Sequence, residues 1–349
     1  MLHEKIQKHI EIVRSSNKAL SSMSQKSCDA IYALLKSHYA TVGVSTVNDI
    51  ADLGQLVAKR PDLVFMGIKY VHGPLPNTKV WISEYLEQHG IGHTGSPKGA
   101  IELEQNKPLA KQRVHDAGLT TSPFMVVKRG DTFDVAASAM QFPLFAKPAD
   151  LGAGQGVDDN SIVHNQADLN SKIASLATDL GADALIEEFL SGREYSVAVL
   201  KEEASDSLMV MPLELVAGPN IHGQRILSYA LKSAPLETPV FPVTDKRVRA
   251  ALIELATNAF RALGARDYGR IDIRMSADGV PHFLEANLIP CLIRGSGNFP
   301  KACAMNQGMG YEAMILHIVR LGLARSINAD LIEDDPAPTY GPLAVTAAA

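Results

Sequence analysis

The sequence predicts a protein of mixed α/β and α+β class, and two patterns along the chain lead to that class. Between residues 27 and 120, helix-like segments alternate with brief apolar runs, which is typical of a sheet covered by helices. Residues 124–200 instead hold short strand-like segments around one helix-like stretch near 166–180, as in a small α+β module. We therefore divide the chain into an N-terminal α/β domain (1–122), a small central domain (123–200), a C-terminal domain (201–331) and a disordered tail (332–349).

Helices are predicted where apolar residues recur at helical spacing, and strands where short apolar runs are bounded by turn residues. One predicted helix ends at Gly118, where a glycine cap is expected. The predicted helices are SCDAIYALLKSHY (27–39), KVWISEYLEQHG (79–90), LEQNKPLAKQRVHDAG (103–118), DKRVRAALIELATNAFRALG (245–264) and YEAMILHIVRLGLA (311–324). The predicted strands include ATVGV (40–44), DLVFMGI (62–68), FMVVK (124–128), PLFAKP (143–148), ALIEEF (184–189) and YSVAVL (195–200).

The composition favours a folded protein that acts on small molecules. With 349 residues, 46% of them hydrophobic, and a net charge of -5, the chain can bury the cores of two or three domains. No apolar run reaches the roughly 18 residues of a membrane span and no signal peptide is seen, so we expect a cytoplasmic protein. Basic residues do not cluster, which disfavours nucleic-acid and membrane partners. Cys28, Cys291 and Cys303 are odd in number and lack CxxC spacing, so we expect thiols.

The segment GRIDIRMSADGVPHFLEAN (269–287) is predicted to form a hairpin with a two-residue turn at Asp278-Gly279. In that register Ala277 pairs with Val280, Met275 with His282, Asp272 with Glu285, and Arg270 with Asn287. The last four residues then share one face, whereas Ile271, Ile273, Leu284 and Ala286 form an apolar face.

Two carboxylates about 5 Å apart on one face repel each other unless a cation lies between them. Asp272, Glu285 and the Asn287 amide oxygen suit Mg²⁺ or Mn²⁺, with phosphate oxygens and water completing the coordination. The alternative is a solvated face whose acids pair with Arg270 and Arg274.

Two further segments are candidates for nucleotide binding. FAKPADLGAGQGV (145–157) leads from a strand ending at Lys147 into a glycine-rich loop that can approach phosphate closely, or that is only flexible. It lacks the GxxxxGK[ST] pattern. ALIEEFLSGREYSVAVL (184–200) joins two strands by a linker whose main chain can bind an adenine edge, with Glu194 accepting ribose hydroxyls; alternatively it is an acidic hairpin.

Taken in order, these motifs resemble the ATP-grasp superfamily, and specifically a relative of the D-alanine–D-alanine ligases, over roughly residues 62–325. The segment GHTGSPKGAIELEQNKPLAKQRVHDAGLTTSPF resembles that family's TGS…DK…K…AGLPTP, with Asn106 in place of aspartate. The resemblance implies a three-part ATP-grasp fold, in which the central domain is a lid, the C-terminal domain is catalytic, and the nucleotide lies between them.

The resemblance also implies roles for individual residues. Arg270 would stabilise the acylphosphate and the oxyanion, and Lys232 would close over the γ-phosphate unless it is a solvated loop lysine. Asp272, Glu285 and Asn287 would hold two magnesium ions. The residues that would contact ATP are Lys107, Lys147, Gly152, Gly154, Glu187, Glu188, Phe189, Leu190, Glu194 and Leu284.

The chain departs from the family pattern around the amino-acid substrates. Ser22, Gly154 and Ser233 stand where the family has the glutamate, serine and tyrosine that hold the first D-alanine. In the loop CLIRGSGNFP, Arg294-Gly295-Ser296 can bind a substrate carboxylate, although Arg294 can equally be an exposed loop residue.

His222 is a candidate base for the incoming amine.

The predicted reaction joins an amino-acid carboxylate to an amine through an acylphosphate, with ATP and magnesium as cofactors and ADP and phosphate as products. Because the substrate-side residues differ, we expect a non-standard dipeptide or amide of a specialised pathway. Two alternatives stay open: an authentic D-alanine–D-alanine ligase of cell-wall synthesis, and an ATP-binding protein without ligase activity. The resemblance further implies a homodimer.

Overall fold

The computed structural model describes residues 4–17, 20–76, 78–152, 154–219, 223–226 and 238–329. Lys232, His222 and Ser233, together with the tail (332–349), lie outside the described residues, so their predicted roles stay predictions. Within the described ranges, no helix combines the length and the apolar character that crossing a bilayer requires.

The described residues form three main sheets and a two-stranded ribbon, with helices packed against them. The strands are β1 (Ile6–Arg14), β2 (Tyr39–Thr46), β3 (Leu63–Met66), β4 (Tyr70–His72), β5 (Lys79–Trp81), β6 (Gly92–His93), β7 (Phe124–Val127), β8 (Leu144–Pro148), β9 (Ile162–Val163), β10 (Ala184–Glu188), β11 (Glu194–Lys201), β12 (Leu208–Leu215), β13 (Val240–Pro242), β14 (Tyr268–Met275) and β15 (Pro281–Asn287). The α-helices are α1 (Gln25–His38), α2 (Ile50–Ala58), α3 (Ile82–Gln88), α4 (Lys98–Gln105), α5 (Lys107–Asp116), α6 (Gln166–Leu180), α7 (Lys246–Ala262), α8 (Asn298–Gln307) and α9 (Tyr311–Ala329).

The first sheet is parallel, in the order β2-β1-β3-β6. Helices α1 and α2 pack against it, as the alternating helix and strand pattern predicts. The second sheet is antiparallel, in the order β7-β10-β8-β9, and α6 packs on it. The third sheet, β13-β12-β11-β14-β15, is antiparallel and carries the predicted hairpin at one edge. β11 belongs to this third sheet, so the linker 189–193 connects the second sheet to the third. The domain boundary at 200 stays a prediction.

Two predicted helices differ from the structure in ways that local chemistry explains. Lys79–Trp81 pairs with β4 as strand β5, so the helix predicted at 79–90 begins only at Ile82. The helix predicted at 103–118 is interrupted at Asn106, which has a non-helical backbone and caps α5 by accepting a hydrogen bond from the Leu109 N–H at 3.1 Å.

The hairpin has the predicted register where the polar side chains lie. Arg270 pairs with Asn287 and Asp272 with Glu285, which confirms that these four residues share one face. The predicted two-residue turn is wrong. The Ser276 N–H donates to the Val280 carbonyl at 2.9 Å, so the loop has three residues.

A β-bulge at Leu284 compensates for the longer loop. Between the turn and the bulge the pairing is shifted by one residue, so that Met275 pairs with Pro281 and not with His282, and Ile273 pairs with Phe283. Phe283 is therefore fully buried on that apolar face, together with Ile271 and Ile273. Leu284 was predicted there, and the structure corrects this by leaving it half-buried outside the core.

Candidate active site

The polar face of the hairpin is held together by a bidentate arginine–carboxylate pair. Arg270 Nε and Nη2 donate to the two oxygens of Asp272, each at 2.8 Å, and Asn287 Nδ2 donates to Asp272 Oδ2 at 3.2 Å. Burial alone would lower the pKa of Arg270, but attraction to Asp272 raises it. Glu285 Oε2 lies 4.0 Å from Lys107 Nζ. Of the two arginines that the solvated-face alternative assigns to these acids, only Arg270 pairs with one, because Arg274 binds Glu194.

The donor set on this face fits a magnesium site that a nucleotide completes. Among the described residues, no group of three or more His, Cys, Asp or Glu side chains is arranged to hold a metal. Asp272 and Glu285 supply two carboxylates and Asn287 an amide, all hard oxygen donors in adjacent register positions. Mg²⁺ is commonly bound by one or two carboxylates together with substrate phosphates, so the fit requires the triphosphate as a partner.

A buried carboxylate joins two lysines behind this face. Glu187 is 2% exposed, and its two oxygens lie 2.6 Å from Lys111 Nζ and 2.6 Å from Lys147 Nζ. Lys111, which is fully buried, also donates to Thr121 Oγ1 at 2.6 Å and to Ser122 Oγ at 3.2 Å. The Glu187 side chain therefore binds protein lysines; an adenine contact of this residue stays a prediction.

The charges of this triad stabilise one another. Burial would raise the pKa of Glu187, but attraction to Lys111 and Lys147 lowers it to about 2. Burial lowers the pKa of Lys111, with Glu187 opposing. Burial would also lower the pKa of Lys147, but attraction to Glu187 and Glu285 raises it. Lys147 is thereby kept charged and in place beside the glycine-rich loop.

The glycine-rich loop requires glycine at two positions. Gly154 and Gly156 have φ of +77° and +73°, a region that side-chain-bearing residues rarely adopt. A Cβ on Gly156 would lie 2.6 Å from the Pro148 ring. Lys107 Nζ donates to the carbonyl of Leu151 at the start of this loop, so Lys107 connects the loop to the carboxylate face. Gly152 has open space around it.

The linker between β10 and β11 borders a cleft. The main-chain N–H groups of Glu188 and Phe189 donate to the carbonyls of Pro123 at 3.1 Å and Pro143 at 3.2 Å, so these two donors are used within the protein. Arg274 Nε donates to the Leu190 carbonyl at 2.6 Å. The cleft has a volume of about 590 Å³ and is lined by Phe189, Ser191–Glu194, Glu214–Ala217, Gly223–Arg225 and Arg274.

The residues predicted to bind the substrates lie in an exposed loop with its own contacts. Arg294 Nη2 donates to Glu312 Oε1 at 2.6 Å, and its guanidinium lies 4.7 Å from the centre of the Tyr311 ring. Gly295 has φ of +81°, and the Ser296 N–H donates to a main-chain carbonyl of the same loop. An Arg294 anion clamp would have to replace the Glu312 contact.

Ser22, where the resemblance places a glutamate, lines a small cavity between the N-terminal and C-terminal parts of the chain. The Ser22 N–H donates to the Gly67 carbonyl at 2.9 Å. The cavity is lined by Ser22, Met23, Ser27, Met66, Gly67, Ile289, Pro290 and Leu292, none of which carries a charge.

Comparison with known proteins agrees with this geometry. The family described as D-ala D-ala ligase C-terminus matches residues 114–320, which is more than half of the chain. A D-alanine–D-alanine ligase A of Mesorhizobium japonicum is 33% identical over 78% of this chain and 76% of its own length. The chain belongs to the D-alanine–D-alanine ligase family.

Other family members are more distant but cover more of the chain. A D-alanine–D-alanine ligase of Geobacter sulfurreducens is 29% identical over 89% of this chain and 92% of its own length. The crystal structure of the D-alanine–D-alanine ligase from Bacillus anthracis complexed with ATP superposes with a TM-score of 0.72 at 19% identity, covering 93% of this chain and all of that one. The ATP-grasp fold is thus confirmed, and as a member of this ligase family the chain is an ATP-dependent, ADP-forming carboxylate–amine ligase.

Two buried charged residues of the site were missed as site residues in the sequence analysis. Lys111 is one helical turn after Lys107 on α5, so the i, i+4 spacing places both lysines on the same helix face. Arg274 lies four residues after Arg270 on β14, and the period of two places both on the same sheet face. These two spacings are signals that the sequence contains.

Proposed function

We propose that this ligase activates a substrate carboxylate with ATP on the polar face of the hairpin and transfers the acyl group to an amine. The observation that carries the proposal is the Arg270–Asp272 pair, fixed beside Glu285, Asn287 and Lys107. A carboxylate is a poor electrophile. Its oxygen would attack the γ-phosphorus, ADP would leave, and the acylphosphate formed can be attacked by an amine that expels phosphate.

The charged residues on and around this face would have different roles in that reaction. Lys107 and Lys147 bind phosphate oxygens, and their positions are fixed by the loop carbonyl of Leu151 and by Glu187. Arg270 stabilises negative charge on the acylphosphate and on the tetrahedral oxyanion. Mg²⁺, when held by the hairpin carboxylates and the amide, would neutralise the charge that the triphosphate carries during phosphoryl transfer.

We further propose that the product is a dipeptide or amide other than D-alanyl-D-alanine. The uncharged cavity around Ser22 supports this, because it offers no carboxylate to an α-ammonium group at the position where the resemblance places a glutamate. The names of the relatives favour a second candidate, authentic D-alanine–D-alanine ligase.

Phosphate release separates these possibilities. The purified chain is incubated with ATP and Mg²⁺ and with a panel of carboxylate and amine substrates, and the products are identified by intact mass. The proposal predicts release with acceptors other than paired D-alanine. Release with D-alanine alone would establish the second candidate, and no stimulation by any pair would indicate ATP binding without ligation.

A further inference from the structure

Arg274 is a buried arginine whose three guanidinium nitrogens are each bonded to a different segment. It is 7% exposed. Its Nε donates to the Leu190 carbonyl at 2.6 Å, Nη1 to Glu194 Oε2 at 2.9 Å, and Nη2 to the Arg225 carbonyl at 2.6 Å. The guanidinium also lies 5.3 Å from the centre of the Phe189 ring. A single side chain therefore binds two main-chain carbonyls, those of Leu190 and Arg225, and one carboxylate.

Phe189, Glu194 and Arg225 line the 590 Å³ cleft, and Leu190 lies between two residues that line it, Phe189 and Ser191. Leu190 belongs to the linker and Glu194 begins β11. Arg225 lines the cleft from another segment, in which its own side chain donates to the Ala217 carbonyl at 2.5 Å and its main chain bridges to Pro219. Arg274, which itself lines the cleft, thus connects the linker to the segment that contains Arg225.

The chemistry of the contact distinguishes a positioning role from simple charge compensation. A buried arginine needs hydrogen-bond acceptors, and main-chain carbonyls alone can supply them. Here one nitrogen is instead used on Glu194, a carboxylate that lines the cleft. A guanidinium N–H to a carboxylate is a charge-assisted bond with defined direction, so it fixes the orientation of the Glu194 side chain.

We propose that Arg274 is a positioning residue for the nucleotide: it orients Glu194 toward the ribose hydroxyls and fixes residues 223–225 relative to the linker. The inference rests on the proposed binding of ATP in this cleft. It predicts that Arg274 contributes to nucleotide affinity and to recognition of the ribose, and little to the chemical step at Arg270.

The test replaces Arg274 by Lys, which keeps the positive charge but cannot make all three hydrogen bonds at once. A second variant, Arg274→Met, removes the buried charge, so the test can still be made if Arg274→Lys does not fold. The control is Arg320→Lys, because Arg320 makes a similar two-nitrogen contact with Glu203, at 2.8 and 2.7 Å, on the exposed surface outside the cleft. Binding of ATP and of 3′-deoxy-ATP is measured by calorimetry without amino acids, and KM for ATP and kcat are measured by phosphate release.

For Arg274→Lys or Arg274→Met we expect ATP binding to weaken, and KM for ATP to rise, by about tenfold or more, with kcat changed less than about threefold. The wild-type preference for ATP over 3′-deoxy-ATP should fall to about twofold or less. Arg320→Lys should retain the wild-type preference. In the double variant that adds Glu194→Gln, the loss of ATP affinity should be far smaller than the product of the two single-variant losses. The reason is that each single variant already removes the same Arg274–Glu194 contact.

Three results would overturn the inference. One is an unchanged preference for ATP over 3′-deoxy-ATP in both Arg274 variants. Another is a double variant whose loss of ATP affinity equals the product of the two single-variant losses. The third is a wild-type protein that binds no nucleotide. Failure of the ligase proposal gives a different result. The wild-type protein would then still prefer ATP over 3′-deoxy-ATP in calorimetry, but no acceptor would stimulate its phosphate release.

Discussion

Replacing Glu187 by Gln removes the negative charge between two buried lysines, and the structure gives the size of the effect. Lys111 and Lys147 each lie 2.6 Å from the carboxylate and lower its pKa from 4.5 to about 2. At about 1.4 kcal/mol per pKa unit, this shift corresponds to about 3 kcal/mol of folding free energy. Because Glu187 is almost fully buried, little of this is lost to solvent screening. We expect Glu187→Gln to lower the free energy of unfolding by about 3 kcal/mol at pH 7.

The pH dependence tests the cause. The folded-state pKa lies below the unfolded one, so the contribution of Glu187 is complete above about pH 4.5 and is lost as the pH falls toward 2. Urea unfolding of wild type and variant, followed by circular dichroism at pH 7, 5, 4 and 3, measures the difference. Glu188→Gln, at the half-buried next position of the same strand, is the matched control. A difference below about 1 kcal/mol at pH 7, or one that stays constant down to pH 3, would refute the electrostatic explanation.

Three further perturbations address the loop, the oxyanion and the metal. Gly156→Ala should lower the unfolding free energy by about 1–3 kcal/mol in urea titrations because of its φ of +73° and its proline contact, whereas Gly152→Ala, in open space, should change it by less than about 0.5 kcal/mol. Arg270→Lys should reduce kcat by about 10²-fold or more, with ATP affinity nearly unchanged, because a lysine cannot hold Asp272 bidentately; an unchanged kcat contradicts this. Glu285→Gln should raise the Mg²⁺ concentration for half-maximal phosphate release, and an unaltered Mg²⁺ titration would exclude Glu285 as a ligand.

The hairpin shows what the sequence can predict and what it cannot. The pairing of Asp272 with Glu285 follows from strand periodicity, although the turn was one residue too short. The bulge that restores the register depends on distant partners. The Phe283 N–H donates to the Thr120 carbonyl at 2.9 Å, and the Phe283 carbonyl accepts from Thr121 Oγ1 at 2.9 Å. These contacts join residues about 160 positions apart, so no local pattern in the hairpin contains them.

The buried triad is unpredictable for a similar reason. The family resemblance placed Glu187 beside the nucleotide, and Lys147 was a candidate phosphate ligand because it ends a strand just before the glycine-rich loop. Lys111 comes from α5, which packs against the third sheet and ends in the segment that precedes β7. Only the fold brings the three charges together, and the pairing depends on their burial.

Strand β14 sets the distance between two arginine–carboxylate pairs of the site. Arg270 and Arg274 lie four residues apart on one face, about 13 Å along an extended strand. Each is bonded to a carboxylate: Arg270 to Asp272 on the hairpin, and Arg274 to Glu194, its register partner on β11. A nucleotide lying along this face would meet one pair at its phosphate end and the other at its ribose.

Because a β-strand in the middle of a sheet is rigid, the distance between the two arginine–carboxylate pairs is fixed before any ligand binds. Arg270→Lys should therefore impair the chemical step but not ATP binding. Arg274→Lys should impair ATP binding but not the chemical step. Steady-state kinetics of the two variants, measured side by side, would show whether kcat falls in one and KM for ATP rises in the other. Equal effects of both variants on kcat and on KM would mean that the two arginines do not have separate roles in catalysis and in nucleotide binding.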